Sequence, residues 1–167
     1  LLLGDGSDSL TTTATASGTG WINAYGALGS TLDTGSDQGD DSVVITASAT
    51  SENGGAEAIG LGQSSRWADD GTGTWKETIT QGSLRTGDGD DSVSISASAT
   101  GTWTNAWAVR SSTLDTGSGD DSVTLSATTS NFGNWDPAYG AENSSILLGD
   151  GSDSLTINAT ASGTGCS

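Results

Sequence analysis

The chain of 167 residues contains no histidine and only one cysteine, Cys166. Without histidine it lacks the commonest general base and the usual ligand of zinc and copper. A single cysteine cannot form a disulfide within the chain, so another interaction must cross-link the fold. The usual nucleophile–base pairs cannot be assembled from these residues, and we predict that the protein is not an enzyme.

Positive charge is also scarce, because 4 basic residues face 21 acidic ones and the formal net charge is −17. Nucleic acids and acidic membranes would be repelled, so neither is an expected partner. No apolar run approaches a membrane span, and no leader segment or initiator methionine is visible, so we interpret the chain as a mature fragment or an excerpt. Twenty-six glycines and a 32% hydrophobic content predict a thin, long core.

A short loop motif occurs five times, as a small or aliphatic residue followed by Gly-x-Gly-x-Asp-x-aliphatic. The copies are residues 3–10, 34–43, 86–93, 116–123 and 148–155, and the second carries two extra residues, Asp37 and Gln38. Successive motif aspartates are 33, 50, 30 and 32 residues apart. Repetition at such a period predicts a solenoid with coils of about 30 residues.

Each loop precedes a segment in which apolar and polar residues alternate, for example Val93, Ile95, Ala97 and Ala99 with Ser or Thr between them. This period of two is typical of a strand with one buried face. A second, looser strand precedes each loop, and no segment carries a capped helical stripe. We therefore predict an all-β, parallel β-solenoid of the β-helix or β-roll type, forming one domain over residues 1–167.

The longest spacing indicates an insertion over residues 63–81, where aromatic residues flank an Asp/Gly-rich turn. This pattern predicts a β-hairpin. Loops on a rigid scaffold often carry binding residues, so Arg66, Trp67, Trp75 and Lys76 are interaction candidates. An inert, tolerated insertion is the alternative.

Tryptophans occupy matching places at the far corner of three coils, at Trp21, Trp103 and Trp135. They fit an aromatic column that closes the narrow end of the coil. They also fit an outward platform for sugar rings, and both interpretations stay open here.

The sequence also contains a repeat longer than one coil, because residues 1–20 and 146–165 differ at only three positions. Four coils and the hairpin thus form one super-repeat. We expect either a tandem array or end-to-end stacking of copies, since neither end carries a polar cap.

The loop composition predicts calcium binding. Ca²⁺ takes six to eight oxygen ligands, including carboxylates and backbone carbonyls, and glycine lets a loop turn its carbonyls inward. Coils stacked at strand spacing bring like carboxylates to about 5 Å, where they repel by about 1–3 kcal/mol. A divalent cation between coils would remove this repulsion. The alternative is a metal-free turn in which the aspartates form ladders of hydrogen bonds to the backbone.

The motif resembles the calcium-binding nonapeptide of the repeats-in-toxin family, Gly-Gly-x-Gly-x-Asp-x-aliphatic-x, with Leu or Thr in place of the first glycine. The resemblance implies several Ca²⁺ ions between successive coils. Its implied carboxylate ligands are Asp8, Asp41, Asp91, Asp121 and Asp153. Its implied carbonyl donors are Gly4, Gly6, Gly35, Gly39, Gly87, Gly89, Gly117, Gly119, Gly149 and Gly151. Because each long coil carries one loop, we expect a single metal column, interrupted in regularity at Asp37 and Gln38.

These observations favour a secreted structural protein of an extracellular filament, adhesin stalk or surface matrix. The alternatives are a non-catalytic calcium module of a secreted enzyme and a solenoid whose Ser/Thr face binds glycan or ice.

Overall fold

The computed structural model describes residues 1–69, 71, 74–131 and 136–163. This part of the chain forms fifteen β-strands and no helix, and it therefore contains no helix able to cross a membrane. The strands are β1 (Ser9–Gly18), β2 (Ile22–Leu28), β3 (Thr31–Asp33), β4 (Ser42–Ser51), β5 (Gly55–Gly62), β6 (Ser64–Asp69), β7 (Trp75–Thr80), β8 (Gly82–Arg85), β9 (Ser92–Gly101), β10 (Trp103–Arg110), β11 (Ser112–Asp115), β12 (Ser122–Asn131), β13 (Ala138–Glu142), β14 (Ser145–Leu147) and β15 (Ser154–Gly163).

Three parallel sheets run along the molecule, and each complete coil contributes one strand to each sheet. The long sheet has the order β1-β4-β9-β12-β15, the middle sheet β2-β5-β10-β13 and the short sheet β3-β8-β11-β14. Strands pair with the same element one coil away and never with an antiparallel neighbour in these sheets. The predicted parallel β-solenoid is thus confirmed.

Perfect register in the long sheet places equivalent side chains above one another. Val93 pairs with Val43 and Val123, and Ile95 pairs with Ile45 and Leu125. Within β9 the predicted inward residues Val93, Ile95, Ala97 and Ala99 are at most 2% exposed. Burial of each branched aliphatic side chain stabilises the fold by about 1.5–3 kcal/mol.

The core narrows away from the loops, as the sequence indicated. Val, Ile and Leu side chains form one cluster next to the loop edge, and alanines from the long and middle sheets form a second cluster beyond it. Where the middle sheet bends, a Cβ on Gly60 would overlap Cγ2 of Ile95. Glycine is needed there because the two sheets approach too closely for a side chain.

The middle sheet was not predicted as a sheet. Its strands contain the tryptophan corner segments, in which small residues such as Ala58 and Ala106 face the core. The outward positions of β10, Trp103, Asn105 and Trp107, alternate with them. Alanine and glycine on the inward side give a weak hydrophobic signal, so the alternation is hard to see in the sequence.

The predicted hairpin is present within the insertion. Strands β6 and β7 pair antiparallel, with Arg66 opposite Thr78 and Ala68 opposite Lys76. The hairpin follows β5 directly and leads into β8, so it leaves the solenoid between the middle and short sheets of the second coil.

The last coil, which contains the edge strand β15, leaves apolar side chains uncovered. Leu155 and Ile157 of β15 are 42% and 48% exposed, whereas their partners Val123 and Leu125 in β12 are at most 1% exposed. Their burial therefore depends on a further coil.

The position of a coil decides what a core truncation costs. We expect Ile95→Ala to lower the free energy of unfolding by about 2–5 kcal/mol, because it removes a fully buried side chain at the centre of the stack. Ile157→Ala makes the same change in the same strand position of the outermost coil and should cost less than half as much. Urea unfolding followed by circular dichroism measures both, and equal losses would contradict this account of the core.

Candidate metal-binding edge

The five loops stack directly on one another along the edge between the short and long sheets. The Gly89 amide donates to the carbonyl of Ser118 at 2.7 Å, and the Gly119 amide donates to that of Asp150 at 2.9 Å. Asp88, Ser118 and Asp150 also form isolated parallel bridges. The sheet-like pairing thus continues through the loops.

Glycine is required in these loops for two reasons. Nine of the ten predicted loop glycines have positive φ, from +82° at Gly149 to +152° at Gly151, and Gly39 in the copy with the insertion is the exception. In addition, a Cβ on Gly117 would overlap the carbonyl oxygen of Gly87. A side chain is therefore excluded by the neighbouring coil as well as by the backbone conformation.

The five motif aspartates form a ladder of hydrogen bonds, here called the inner ladder. Oδ1 of Asp41 accepts the Asp8 amide at 2.8 Å, and Oδ1 of Asp91 accepts the Asp41 amide at 2.8 Å. Asp121 and Asp153 accept the next two amides at 2.9 and 3.1 Å. The three central aspartates are only 2–3% exposed. The five aspartates thus lie in one file along the loop edge.

The second carboxylate oxygen of the inner-ladder aspartates, Oδ2, takes no part in the ladder hydrogen bonds. Among the described residues, Oδ2 of Asp8, Asp91 and Asp121 is buried and accepts no well-formed hydrogen bond, although the Thr86 hydroxyl lies near enough to the Asp91 carboxylate to favour its charged form. Asp41 differs, because the Thr34 hydroxyl donates to its Oδ2. An unpartnered buried oxygen is costly, and this one occurs at three of the five inner-ladder aspartates.

The electrostatics of the ladder are visible at Asp91. Burial is the main cause that raises the pKa of its carboxyl above the ordinary value, and the carboxylates of Asp121 and Asp41 raise it further. The nearby Thr86 hydroxyl and the Asp41 amide partly offset this effect. Burial, more than the neighbouring carboxylates, thus disfavours the charged form of Asp91.

An outer ladder runs beside the inner one and was not predicted. The Asp90 amide donates to Oδ1 of Asp40 at 3.0 Å, the Asp120 amide to Asp90 at 2.9 Å and the Ser152 amide to Asp120 at 2.8 Å. These carboxylates are exposed. The repeated Asp-Asp pair in the three central loops was the signal that could have revealed them.

The loop with the insertion keeps its contacts by a different route. Oδ2 of Asp37 accepts the Gly6 amide at 2.6 Å, and the Asp37 carbonyl accepts the Asp88 amide at 3.1 Å. Asp37 therefore links this loop to the coils on both sides, while Gly39 departs from the usual φ.

Buried threonines form a third repeated contact, also missed in the sequence. Thr34, Thr86 and Thr116 are at most 1% exposed. The Thr86 and Thr116 hydroxyls donate at 3.2 Å to the backbone carbonyl at the equivalent position of the next coil, and the Thr34 hydroxyl, which donates to Asp41, also lies 3.2 Å from the Thr86 carbonyl. Threonine at this position, where the nonapeptide has its first glycine, thus fastens each loop to the following one.

The donor chemistry of this edge fits calcium. The unpartnered oxygens are hard, anionic ligands, and the loops also carry backbone carbonyl oxygens of the kind that calcium takes. The carbonyls of Gly87 and Gly117 already accept amides at 3.3 and 3.2 Å, but each carbonyl has a second lone pair. No three acidic side chains in the described ranges converge as a cage. An ion would therefore combine inner-ladder Oδ2 atoms with backbone carbonyls.

The interaction candidates lie elsewhere. Arg66 and Lys76 are exposed on the hairpin strands that also carry Trp67 and Trp75. Trp21 and Trp103 are 58% and 56% exposed at the outer surface of the middle sheet. They sit on either side of the second coil, where the Trp21 ring covers Gly55. Trp135 lies outside the described residues.

Among the residues that the structure describes, the rings of Trp107 and Tyr139 stack, with centroids 5.9 Å apart and planes 12° from parallel. They lie in one register row with Tyr25 and Ile59. Alanines, not tryptophans, fill the narrow end of the core.

Comparison with known proteins adds no relative to this description. No family model, curated protein or solved structure matches the chain. The likeness to repeats-in-toxin loops consequently remains a resemblance of the motif, and the function must be argued from the residues themselves.

Alanine substitutions at two glycines with similar φ distinguish the effect of backbone strain from the effect of close loop stacking. Gly117 and Gly4 have φ of +90° and +116°, but only Gly117 faces a neighbouring carbonyl, since nothing lies within 4 Å of a Cβ built on Gly4. We expect Gly4→Ala to cost about 1–3 kcal/mol through backbone strain alone. Gly117→Ala should cost clearly more, because the loops must also move apart. Equal effects in urea unfolding would show that the close approach contributes nothing.

Proposed function

We propose that this protein is a calcium-stabilised structural repeat protein that works outside the cell, in a filament, adhesin stalk or surface matrix. The observation that carries the proposal is the file of buried inner-ladder carboxylates with unpartnered Oδ2 atoms at Asp8, Asp91 and Asp121. Its ligands for calcium would be the carboxylates of Asp8, Asp41, Asp91, Asp121 and Asp153, assisted by carbonyls of the loop glycines.

Electrostatic repulsion supports this assignment. Adjacent coils hold the ladder carboxylates about one strand spacing apart, where each neighbouring pair repels by about 1–3 kcal/mol. The chain has only 4 basic residues with which to compensate. A bound divalent cation would convert the repulsion into attraction, so metal binding and folding would be strongly coupled.

A non-catalytic role fits the way the acidic groups are distributed. The inner ladder recurs in every coil and makes the same contact each time, whereas an active site occurs once. Calcium modules that work outside cells bind with millimolar to submillimolar affinity. A protein without disulfides that folds only when it binds calcium at such concentrations would fold after export.

Assembly along the solenoid axis is supported by the outermost coil. The exposed strand β15 repeats the sequence of β1 almost completely, and β1 is covered by β4 in perfect register. A coil like the second one would therefore fit over β15 and cover Leu155 and Ile157. Such a coil would come from a continuing tandem array or from a second copy of the chain.

Removal of calcium tests the proposal directly. In excess chelator we expect loss of the β-type circular dichroism spectrum, or a fall of more than about 10 °C in melting temperature, with recovery when calcium but not sodium is added back. An unchanged melting temperature in chelator would instead establish the metal-free hydrogen-bonded ladder.

A pair of isosteric variants locates the ion. Asp91→Asn keeps an acceptor for the Asp41 amide but removes the buried charge, so we expect it to lose most of the calcium-dependent rise in melting temperature. Asp90→Asn makes the same charge change in the exposed outer ladder and should retain most of that rise. The reverse ranking would move the metal to the outer ladder.

Electron microscopy tests the assembly. Purified protein in calcium should form filaments or end-to-end stacks, and Leu155→Asp, which places a charge on the uncovered face of β15, should prevent them. Dispersed monomers in calcium, with the fold intact by circular dichroism, would contradict self-association of this chain.

A further inference from the structure

The outer face of the middle sheet differs in chemistry from the rest of the solenoid. The long sheet presents mainly Ser and Thr outward, whereas the middle sheet presents rings and planar polar groups. Its rows contain Trp21, Gly55 and Trp103, then Asn23, Glu57 and Asn105, then the row of Tyr25, Ile59, Trp107 and Tyr139. Ile59 and Trp107 are only 3% and 7% exposed, so the accessible rings of this face are those of Trp21, Trp103, Tyr25 and Tyr139, with Asn and Glu side chains between them.

A groove of about 330 Å³ lies where this face meets the base of the hairpin. Tyr25 and Ile59 contribute its apolar surface, and Glu57, Gln63, Ser64 and Arg110 contribute polar groups. The hairpin begins at Ser64, so the insertion supplies part of the wall. This size suits a small polar molecule or one or two sugar rings.

Contacts within the described residues hold the polar groups of the groove in place. The Tyr25 hydroxyl donates to Oε1 of Glu57 at 2.8 Å. The Arg110 guanidinium lies 4.3 Å from the centre of the Trp107 ring, and its Nε is 3.7 Å from Oε2 of Glu142. Stacking on an aromatic ring fixes the plane of a guanidinium and leaves its edge able to donate.

The groove is not a by-product of the repeat. Position 110 is Arg in one coil and Leu28, Gly62 and Glu142 in the others, and the hairpin occurs once among the coils described. Interactions that the stack needs recur in every coil, as the inner ladder does. A set of polar groups assembled once is better explained by a ligand than by coil stacking.

We propose that this groove binds a neutral saccharide. Vicinal hydroxyls of a sugar pair well with a carboxylate and a guanidinium, and the C–H face of the ring packs on aromatic and aliphatic surfaces. Arg110 already pairs with Glu142 and Glu57 already accepts the Tyr25 hydroxyl, so the groove holds no uncompensated positive charge for an acidic sugar. The net charge of −17 further disfavours acidic polysaccharides.

The remainder of the face indicates that the ligand is a chain. Trp21 lies four residues before Tyr25, and Trp103 lies four residues before Trp107, which is roughly 13 Å along the strand direction. The two tryptophans are two coils apart from each other. Exposed indoles at that distance can carry further sugars of an oligosaccharide whose end occupies the groove.

Titration calorimetry in calcium tests the site, with neutral hexasaccharides of glucose, xylose and mannose and with hexagalacturonate as the acidic probe. We expect at least one neutral hexasaccharide to bind and hexagalacturonate not to bind. Binding of hexagalacturonate alone, or of no probe, overturns the proposal. Calcium-dependent folding is measured separately, so either result leaves the metal hypothesis to its own test.

Conservative variants assign the binding to the groove. Glu57→Gln and Arg110→Gln should each weaken binding of the neutral hexasaccharide at least 10-fold, because each removes a charged hydrogen-bonding partner. Glu52→Gln makes the same change at an exposed position outside the groove and should leave affinity unchanged. If the groove variants fold normally and bind like the unmodified protein, the site is elsewhere and the proposal fails.

A last comparison tests the extended ligand. The hexasaccharide should bind more tightly than the corresponding disaccharide, and Trp21→Ala with Trp103→Ala should abolish that difference without weakening the disaccharide. Equal affinities for the two lengths in the unmodified protein would contradict the contribution of the indoles.

Discussion

The whole structure depends on the direct contact between loops of successive coils. That contact lets the carboxylate of each inner-ladder aspartate accept the amide of the preceding one, with donor–acceptor distances of 2.8–3.1 Å. The same register places like charges at strand spacing in a buried position. The favourable hydrogen bonds and the unfavourable repulsion thus come from one geometry, and neither can be changed without the other.

The thin core increases the importance of this edge. The second and third coils each bury four bulky aliphatic side chains in the cluster near the loops, whereas the far side contains alanines that bury little apolar area. Glycines such as Gly60 bring the sheets close but add no side-chain packing. The loop edge is therefore both the place where the core is densest and the place where the charge is concentrated. Stability of the core and of the ladder cannot be separated into independent parts.

The sequence predicted what is set by local pattern. Alternation around Val93 and Ile95 predicted the long sheet, glycine spacing predicted the loops, and the Asp/Gly-rich turn predicted the hairpin. The inward alanines of the middle sheet give no comparable contrast, so β5 and β10 were missed as strands. The outer ladder and the threonine contacts depend on which atoms meet across coils. Thr86, for example, donates to a carbonyl 30 residues away, a relation that no short-range pattern contains.

Repetition also limits what the coils can recognise. A residue repeated in every coil must satisfy the same neighbours each time, so positions such as Asp91 or Thr86 cannot be adapted to a ligand without weakening the stack. A position can be adapted where the repeat is broken, and one register row carries Tyr25, Ile59, Trp107 and Tyr139 in successive coils. The insertion adds a wall beside that row at the one coil pair where Arg110 and Glu57 are also present. Support and recognition are consequently separated onto different faces of the same solenoid.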